Sequence, residues 1–152
     1  MKVFTDNASR TWSVIITVDS IRRVMKLLGI NITEIDVGDP PLLVRLGTDE
    51  MLLCDIIYCL VKPQADELGV TDEDLGRTLG GDAILAAQTA LYEELVDFFL
   101  KRGRPDRAKA VTAQKKMIEL AIENVRMKLE AICPETEIEK IFGGNSSTNV
   151  PG

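Results

Sequence analysis

The feature that most limits how this chain can fold is an apolar run of eleven residues, Met51 to Val61, that contains one charged residue, Asp55. A helix that crosses a bilayer needs about 20 apolar residues, so this run is too short to span a membrane. It is preceded by Thr48, Asp49 and Glu50, which are typical of a helix N-terminus because acidic groups there interact favourably with the helix dipole. The run therefore predicts a helix in the core of a globular protein.

Asp55 can be interpreted in two ways. It either lies at a polar edge of this helix, or it is buried and paired with an arginine such as Arg22, Arg45 or Arg77. A buried charge needs a partner, and no other residue marks a catalytic site around Asp55. We therefore favour the structural ion pair.

A small β-hairpin is predicted before the first helix. Apolar residues alternate with polar ones at Trp12, Val14, Ile16 and Val18. This period of two indicates a strand with one buried face. The segment Val3-Phe4-Thr5 can pair with it across the turn-forming Asp6-Asn7-Ala8-Ser9. Two strands alone are marginally stable in water, so the hairpin must pack on a helix or join the sheet of another chain.

Helical patterns fill the remainder of residues 1–100. Start and stop residues predict a helix that opens at Asp19-Ser20 and ends before Gly29, and a short helical turn after Pro40-Pro41. The core helix follows and is ended or kinked by Pro63. A short helix then opens at Thr71, and a longer one is capped by Asp82 after Gly80-Gly81. We predict a mainly α fold in which the hairpin packs on a helical bundle.

The balance of charge changes after residue 100. Residues 1–100 carry 8 basic and 17 acidic side chains, whereas residues 101–152 carry 10 and 7. The break Gly103-Arg104-Pro105 falls at this boundary and predicts a basic hinge over residues 101–110. Its candidate partner-binding cations are Lys101, Arg102, Arg104 and Arg107.

An amphipathic helical arm is predicted over residues 111–133. Its narrow apolar seam is interrupted by Lys115 and consists of Val111, Ile118, Ile122, Val125, Leu129 and Ile132. Such a seam suits docking against the helix of a partner, and packing against the body of the same chain is equally open. The polar tail, residues 134–152, is predicted to be disordered from residue 143.

The composition disfavours an enzyme. The chain has no histidine, which excludes Ser-His-Asp and Cys-His catalysis and histidine-ligated zinc. We expect no catalytic residues, no metal site and no cofactor. The formal charge of −6 disfavours nucleic acid as a partner. The sparse cysteines Cys54, Cys59 and Cys133 are predicted to be reduced and to act as small apolar groups, as in a cytoplasmic protein.

The order of elements is more specific than any single motif. It consists of the strand segment from Phe4 to Trp12, a helix from Ile21 to Leu28, the apolar stretch from Leu52 to Tyr58, the helix start Gly69-Val70-Thr71-Asp72-Glu73, and a closing helix through Glu93 to Phe99. In this order the chain resembles the small tail assembly chaperone-like proteins of long-tailed bacteriophages, prophages and gene transfer agents. The resemblance covers residues 3–100 and leaves the arm unmatched.

The resemblance implies a non-enzymatic protein of the bacterial host cytoplasm. Proteins of this group coat the helical tape measure protein while the tail tube assembles around it, and then leave. The resemblance also implies self-association, a tail tube protein as a further candidate partner, and no functional residue that carries over individually. Two alternatives stay open: a structural virion component of the neck or tail, and a small cytoplasmic adaptor with a basic helical arm.

Overall fold

The structure is a computed structural model that describes residues 1–132, so the predictions for Cys133 and for the tail lie outside the described residues. In chain order its elements are β1 (Lys2–Thr5), β2 (Thr11–Val14), α1 (Val18–Leu28), α2 (Leu42–Thr48), α3 (Glu50–Leu68), α4 (Asp72–Thr78), α5 (Asp82–Lys101) and α6 (Pro105–Ile132). The predicted class is confirmed: the protein is mainly α with an N-terminal hairpin packed on helices.

The chain divides into two units, Met1–Lys115 and Lys116–Gly152, and the boundary falls within α6. The first unit holds the hairpin, helices α1 to α5 and the start of α6. Within residues 1–132, none of the helices is both long enough and apolar enough to cross a bilayer.

The hairpin turn is held by the buried carboxylate of Asp6. Its Oδ1 accepts hydrogen bonds from the backbone N–H groups of Ala8 and Arg10, at 2.9 and 3.0 Å. Its Oδ2 accepts from Arg10 Nε at 2.8 Å and from Trp12 Nε1 at 2.9 Å. Burial acts to raise the pKa of Asp6, but the hydrogen bonds outweigh it and lower the pKa from 3.8 to about 2.

The same turn is tied to the end of α4. The backbone N–H of Asn7 donates to the carbonyl of Thr78 at 2.9 Å, and the Asn7 side chain donates to the carbonyl of Gly80 at 3.2 Å. Arg10 Nη2 also reaches Thr78 Oγ1 at 3.3 Å. These bonds join parts of the chain that are far apart in sequence, so the turn is fixed on the helical body.

The two strands bury one face and receive polar contacts from α3. Phe4 and Trp12 lie opposite each other in the antiparallel register, and both are buried. Gln64 of α3 accepts a hydrogen bond from the N–H of Ser13 at 3.0 Å and donates one to the carbonyl of Ser13 at 2.8 Å. Of the two expectations for the hairpin, packing on helices of its own chain is therefore the one that the structure shows.

Helix α3 begins where the sequence predicts and passes through Pro63. The Asp49 carboxylate accepts from the N–H of Leu52 at 3.0 Å at its start, and the helix continues to Leu68. Proline has no N–H, so the carbonyl four residues earlier, that of Cys59, loses its helical donor. Arg23 of α1 replaces it, because its Nη1 donates to the Cys59 carbonyl at 2.9 Å. This contact explains how Pro63 is accommodated inside a long helix.

Two local expectations need correction. Val18 is exposed, because the strand ends at Val14 and Val18 is the first residue of α1 after the capping residue Thr17. The N-cap of α5 is Gly81, with φ of +57°, and Asp82 is the first helical residue. The glycine takes the cap position since its left-handed backbone is disfavoured for other residues.

The break before α6 is shorter than the expected hinge over 101–110. Helix α5 runs to Lys101 and α6 begins at Pro105, which leaves only three residues between them. Proline suits the first position of a helix, where its missing N–H is not needed. Gly103, with φ of +70°, turns the chain, and the N–H of Arg104 donates to the carbonyl of Phe99 at 2.8 Å. The amphipathic helix therefore begins well before Val111.

We predict that Asp6→Asn reduces the loss of stability in acid. Because folding lowers the pKa of Asp6 to about 2, its stabilising contribution is complete above the unfolded pKa of about 4 and is lost as the pH falls through about 2. The wild-type chain should lose about 2 kcal/mol more than the variant over this interval. Urea unfolding, followed by Trp12 fluorescence, measures it. Glu67→Gln, at an exposed acid, is the control, and an Asp6→Asn chain with the full acid loss would contradict the prediction.

A second prediction concerns the Arg23 contact at Pro63. Arg23→Ala should lower the free energy of unfolding by about 1–3 kcal/mol, because the Cys59 carbonyl loses its donor. In a Pro63→Ala background, the restored N–H bonds that carbonyl, and the same substitution should cost about 1 kcal/mol less. Arg22→Ala, at a neighbouring exposed arginine, should show no such coupling. Additive effects of the Arg23 and Pro63 substitutions would mean that the contact is not a replacement for the helical bond.

Candidate partner-binding surface

Arg107 is committed to contacts inside the first unit. It is half-buried, its Nη1 donates to the carbonyl of Thr33, and its guanidinium carbon lies 5.9 Å from the centre of the Phe99 ring. Its Nη2 is 3.7 Å from Asp36 Oδ1. These contacts fasten the first turn of α6 to α5 and to the loop after α1. Arg107 is thus a structural residue in addition to any role towards a partner.

The other three cations of the predicted set lie on the surface. Arg104 is paired with Asp106, with two nitrogen–oxygen contacts of 3.1 and 3.0 Å. The hydrogen bond from Arg104 is the main cause that lowers the pKa of Asp106 to about 2. Lys101 and Arg102 are exposed. The set is therefore not one uniform basic patch.

A cavity of about 240 Å³ lies where these arginines meet the end of α5. It is lined by Ile21, Thr33, Phe98, Phe99, Arg102, Arg104 and Arg107. Two of its three arginines already face carboxylates, Arg104 with Asp106 and Arg107 with Asp36. The cavity consequently offers little uncompensated positive charge to an anion such as a phosphate group.

The predicted apolar seam does not have one environment along its length. Val111 is completely buried, and Ala108 beside it on the helix is buried as well. Val111 is therefore a core residue of the first unit and is not accessible to a partner, which corrects its place in the predicted set. Ile118 is half-buried.

Four seam residues are exposed, and they all lie beyond Lys116. They are Ile122, Val125, Leu129 and Ile132. Val125 is 58% exposed and Ile132 is 71% exposed. Burial of such side chains lowers the free energy, so their exposure leaves apolar surface that a partner can cover. This part of α6 is therefore the strongest candidate for a partner-binding surface among the described residues.

Sequence reasoning missed a second apolar face on the same helix. Met117, Leu120 and Met127 are also exposed. At about 100° per residue they lie on the side away from the seam, and an arc rich in glutamates separates the two on one side. The spacing of three and seven residues was the signal that could have revealed them. We call these three residues the methionine face.

Asp55 is exposed, so the expected buried pair with Arg22, Arg45 or Arg77 is wrong. Helix α3 turns its apolar side inward and leaves Asp55 at the polar edge, beside a cavity of about 400 Å³ that Cys54 and Asp72 also line. Partial burial and the neighbouring Asp72 and Asp49 raise the pKa of Asp55. Within residues 1–132 no group of three acids or cysteines is arranged to hold a metal ion.

Cys54 and Cys59 are free thiols. Cys59 is buried and Cys54 is half-buried, and burial is the main cause that raises the pKa of both thiols. A raised pKa keeps a thiol protonated and poorly nucleophilic at neutral pH. Both cysteines thus have the character of small apolar groups.

Comparisons of the sequence with protein-family models, with curated proteins and with solved structures find no significant match. The resemblance to tail assembly chaperone-like proteins therefore stays a prediction from the order of elements.

We predict that two valines on the seam differ in their effect on stability. Val111→Ala should lower the free energy of unfolding of the first unit by about 1–3 kcal/mol, because Val111 is completely buried. Val125→Ala should change it by less than about 0.5 kcal/mol. Trp12, the only tryptophan, is buried in the first unit, so its fluorescence reports this unfolding. The experiment is run at low protein concentration to exclude effects of association. Equal losses would show that Val125 also belongs to the core.

Proposed function

We propose that this protein is a non-enzymatic assembly factor, a phage tail assembly chaperone-like protein of the host cytoplasm that binds the helical tape measure protein. The observation that carries the proposal is the apolar surface of α6 between residues 116 and 132. This stretch exposes large apolar side chains on two sides of the helix, the seam and the methionine face, and we assign the methionine face, Met117, Leu120 and Met127, to the tape measure protein. Contiguous apolar surface of this kind marks sites of protein–protein interaction.

The size of this surface suits a reversible complex. Each apolar anchor contributes about 1.5–3 kcal/mol when fully buried, whereas association costs about 4–15 kcal/mol in lost freedom. The contribution of a few anchors is therefore of the same size as the cost of association, which gives a weak and reversible complex. A partner that must later be released requires such a balance.

The chemistry of the surface suits a helical partner. An exposed apolar face on a helix can dock against another helix, as in helix-in-groove recognition, and Met117, Leu120 and Met127 form such a face. Methionine side chains are flexible and fit apolar surfaces of different shape, so the methionine face suits a long partner without one fixed sequence. The hairpin followed by helices is also the arrangement that the resemblance implies.

The test is capture of a tape measure protein, which the proposal requires to be encoded beside this chain. We expect the wild-type chain to retain it on co-expression and a Leu120→Glu/Met127→Glu chain to lose it, because both carboxylates would be forced into an apolar contact. Lys109→Glu is the matched control, since it changes the net charge by the same amount at an exposed position of α6 outside this surface. Loss of capture in the control, or full capture by the double variant, would contradict the proposed surface.

Mass spectrometry of purified particles separates the proposal from its structural alternative. A chaperone is used during assembly and should be absent from the finished particle. A constant number of copies per particle would instead identify a structural component of the neck or tail.

A further inference from the structure

We propose that the seam of α6 pairs with the seam of a second copy of this chain, and that the two helices run antiparallel. The segment concerned contains Ile118, Ile122, Val125, Leu129 and Ile132. The inference concerns which molecule occupies this seam, and it holds whatever the identity of the protein bound elsewhere.

The spacing of the seam is that of a coiled coil. Its residues follow one another by four, three, four and three positions, from Ile118 to Ile132. In heptad lettering Ile122 and Leu129 occupy position a, and Ile118, Val125 and Ile132 occupy position d. Apolar residues at a and d form the contact between two helices, and four of these five are exposed. The pattern thus calls for another helix against it.

Charges beside the seam select the direction of the second helix. The flanking position e holds Glu119 and Arg126, and both lie on the same edge of the seam. In an antiparallel pair, position e faces position e of the other helix. When Ile122 of one copy packs against Val125 of the second copy, Glu119 of the first copy lies beside Arg126 of the second. Symmetry repeats the contact, so the pair gains two opposite-charge contacts.

A parallel pair lacks this complementarity. There, position e faces position g of the other helix, and position g holds Gln114 and Ala121 opposite Glu119 and Arg126. Neither contact joins opposite charges. Antiparallel pairing is therefore the arrangement that the charges favour.

Glu119 and Arg126 both have contacts within the chain, so pairing exchanges these contacts for contacts between copies. Arg126 Nη1 lies 3.6 Å from Glu123 Oε2, and both side chains are more than half exposed. An exposed ion pair of this kind contributes little to stability and is readily exchanged. The position of Arg126 beside the seam, rather than this contact, determines its role in the pair.

Pairing through the seam leaves the methionine face free. Met117, Leu120 and Met127 lie on the side of the helix away from the seam, so each copy of the pair still presents them to a different protein. The self-contact and the contact to a partner protein thus use different sides of α6.

Charge reversal tests the pairing in the full-length chain. Glu119→Lys places a cation beside Arg126 of the second copy. Arg126→Glu places a second glutamate beside Glu119 of the other copy. By symmetry, each repulsive contact occurs twice in a pair. Each variant alone should raise the dissociation constant about tenfold or more in sedimentation equilibrium. An equimolar mixture of the two variants should associate as tightly as the wild-type chain, because both contacts of the mixed pair are then attractive. Glu130→Lys, a reversal away from the seam, should leave association unchanged.

Several results would overturn the inference. They are a wild-type chain that is monomeric at every concentration, association that neither reversal weakens, and a mixture that does not regain it. Pairing that occurs only in a chain lacking residues 133–152 would likewise overturn it, since this segment would then cover the seam in the full chain. Circular dichroism and Trp12 fluorescence confirm that each variant is folded. Capture of the tape measure protein is measured separately, so failure of the pairing and failure of the proposed function are distinguishable.

Discussion

The first unit depends on one buried charge, the carboxylate of Asp6. An ionised side chain removed from water is costly unless every oxygen has partners, and Asp6 has four hydrogen bonds from backbone and side-chain groups of the hairpin. One of these bonds comes from Trp12, the largest side chain of the core. Another comes from Arg10, which also donates a hydrogen bond to Thr78 at the end of α4. The carboxylate therefore fixes the turn, the orientation of the indole and the position in which the hairpin packs on the helices. A two-stranded sheet of this size would otherwise be marginal.

Local signals in the sequence predicted the elements well, because their causes are local. Gly29 and Gly69 end helices in the left-handed conformation, and Thr71 begins one through a capping box with Asp74. The strand pairing followed from alternation and turn residues. Asp55 was misjudged because its exposure depends on how α3 is rotated against its neighbours, which no short pattern records. The contact between Arg23 and the Cys59 carbonyl joins two helices and was likewise beyond local reasoning.

The surface of α6 shows the limit of reasoning from periodicity. Val111 and Val125 are the same residue type, two heptads apart on one face, yet one is buried completely and the other is exposed. The repeat shows that both positions are apolar, and it does not show what each side chain contacts. The methionine face was missed for a related reason: a search for one narrow stripe does not detect apolar residues on another side. The residues of this helix differ in burial: Val111 near its start is buried, whereas the seam residues from Ile122 onward are exposed.

The contact between Gln64 and Ser13 has a consequence for how copies of this protein can join. A hairpin strand with free N–H and carbonyl groups is a template on which the strand of another molecule can add. At Ser13 the side-chain amide of Gln64 satisfies both groups, as a neighbouring strand would. Uncontrolled growth of the sheet, the first step towards fibrous aggregates, is opposed at the centre of β2. The strand of one molecule is thus hindered from extending the sheet of another at this position.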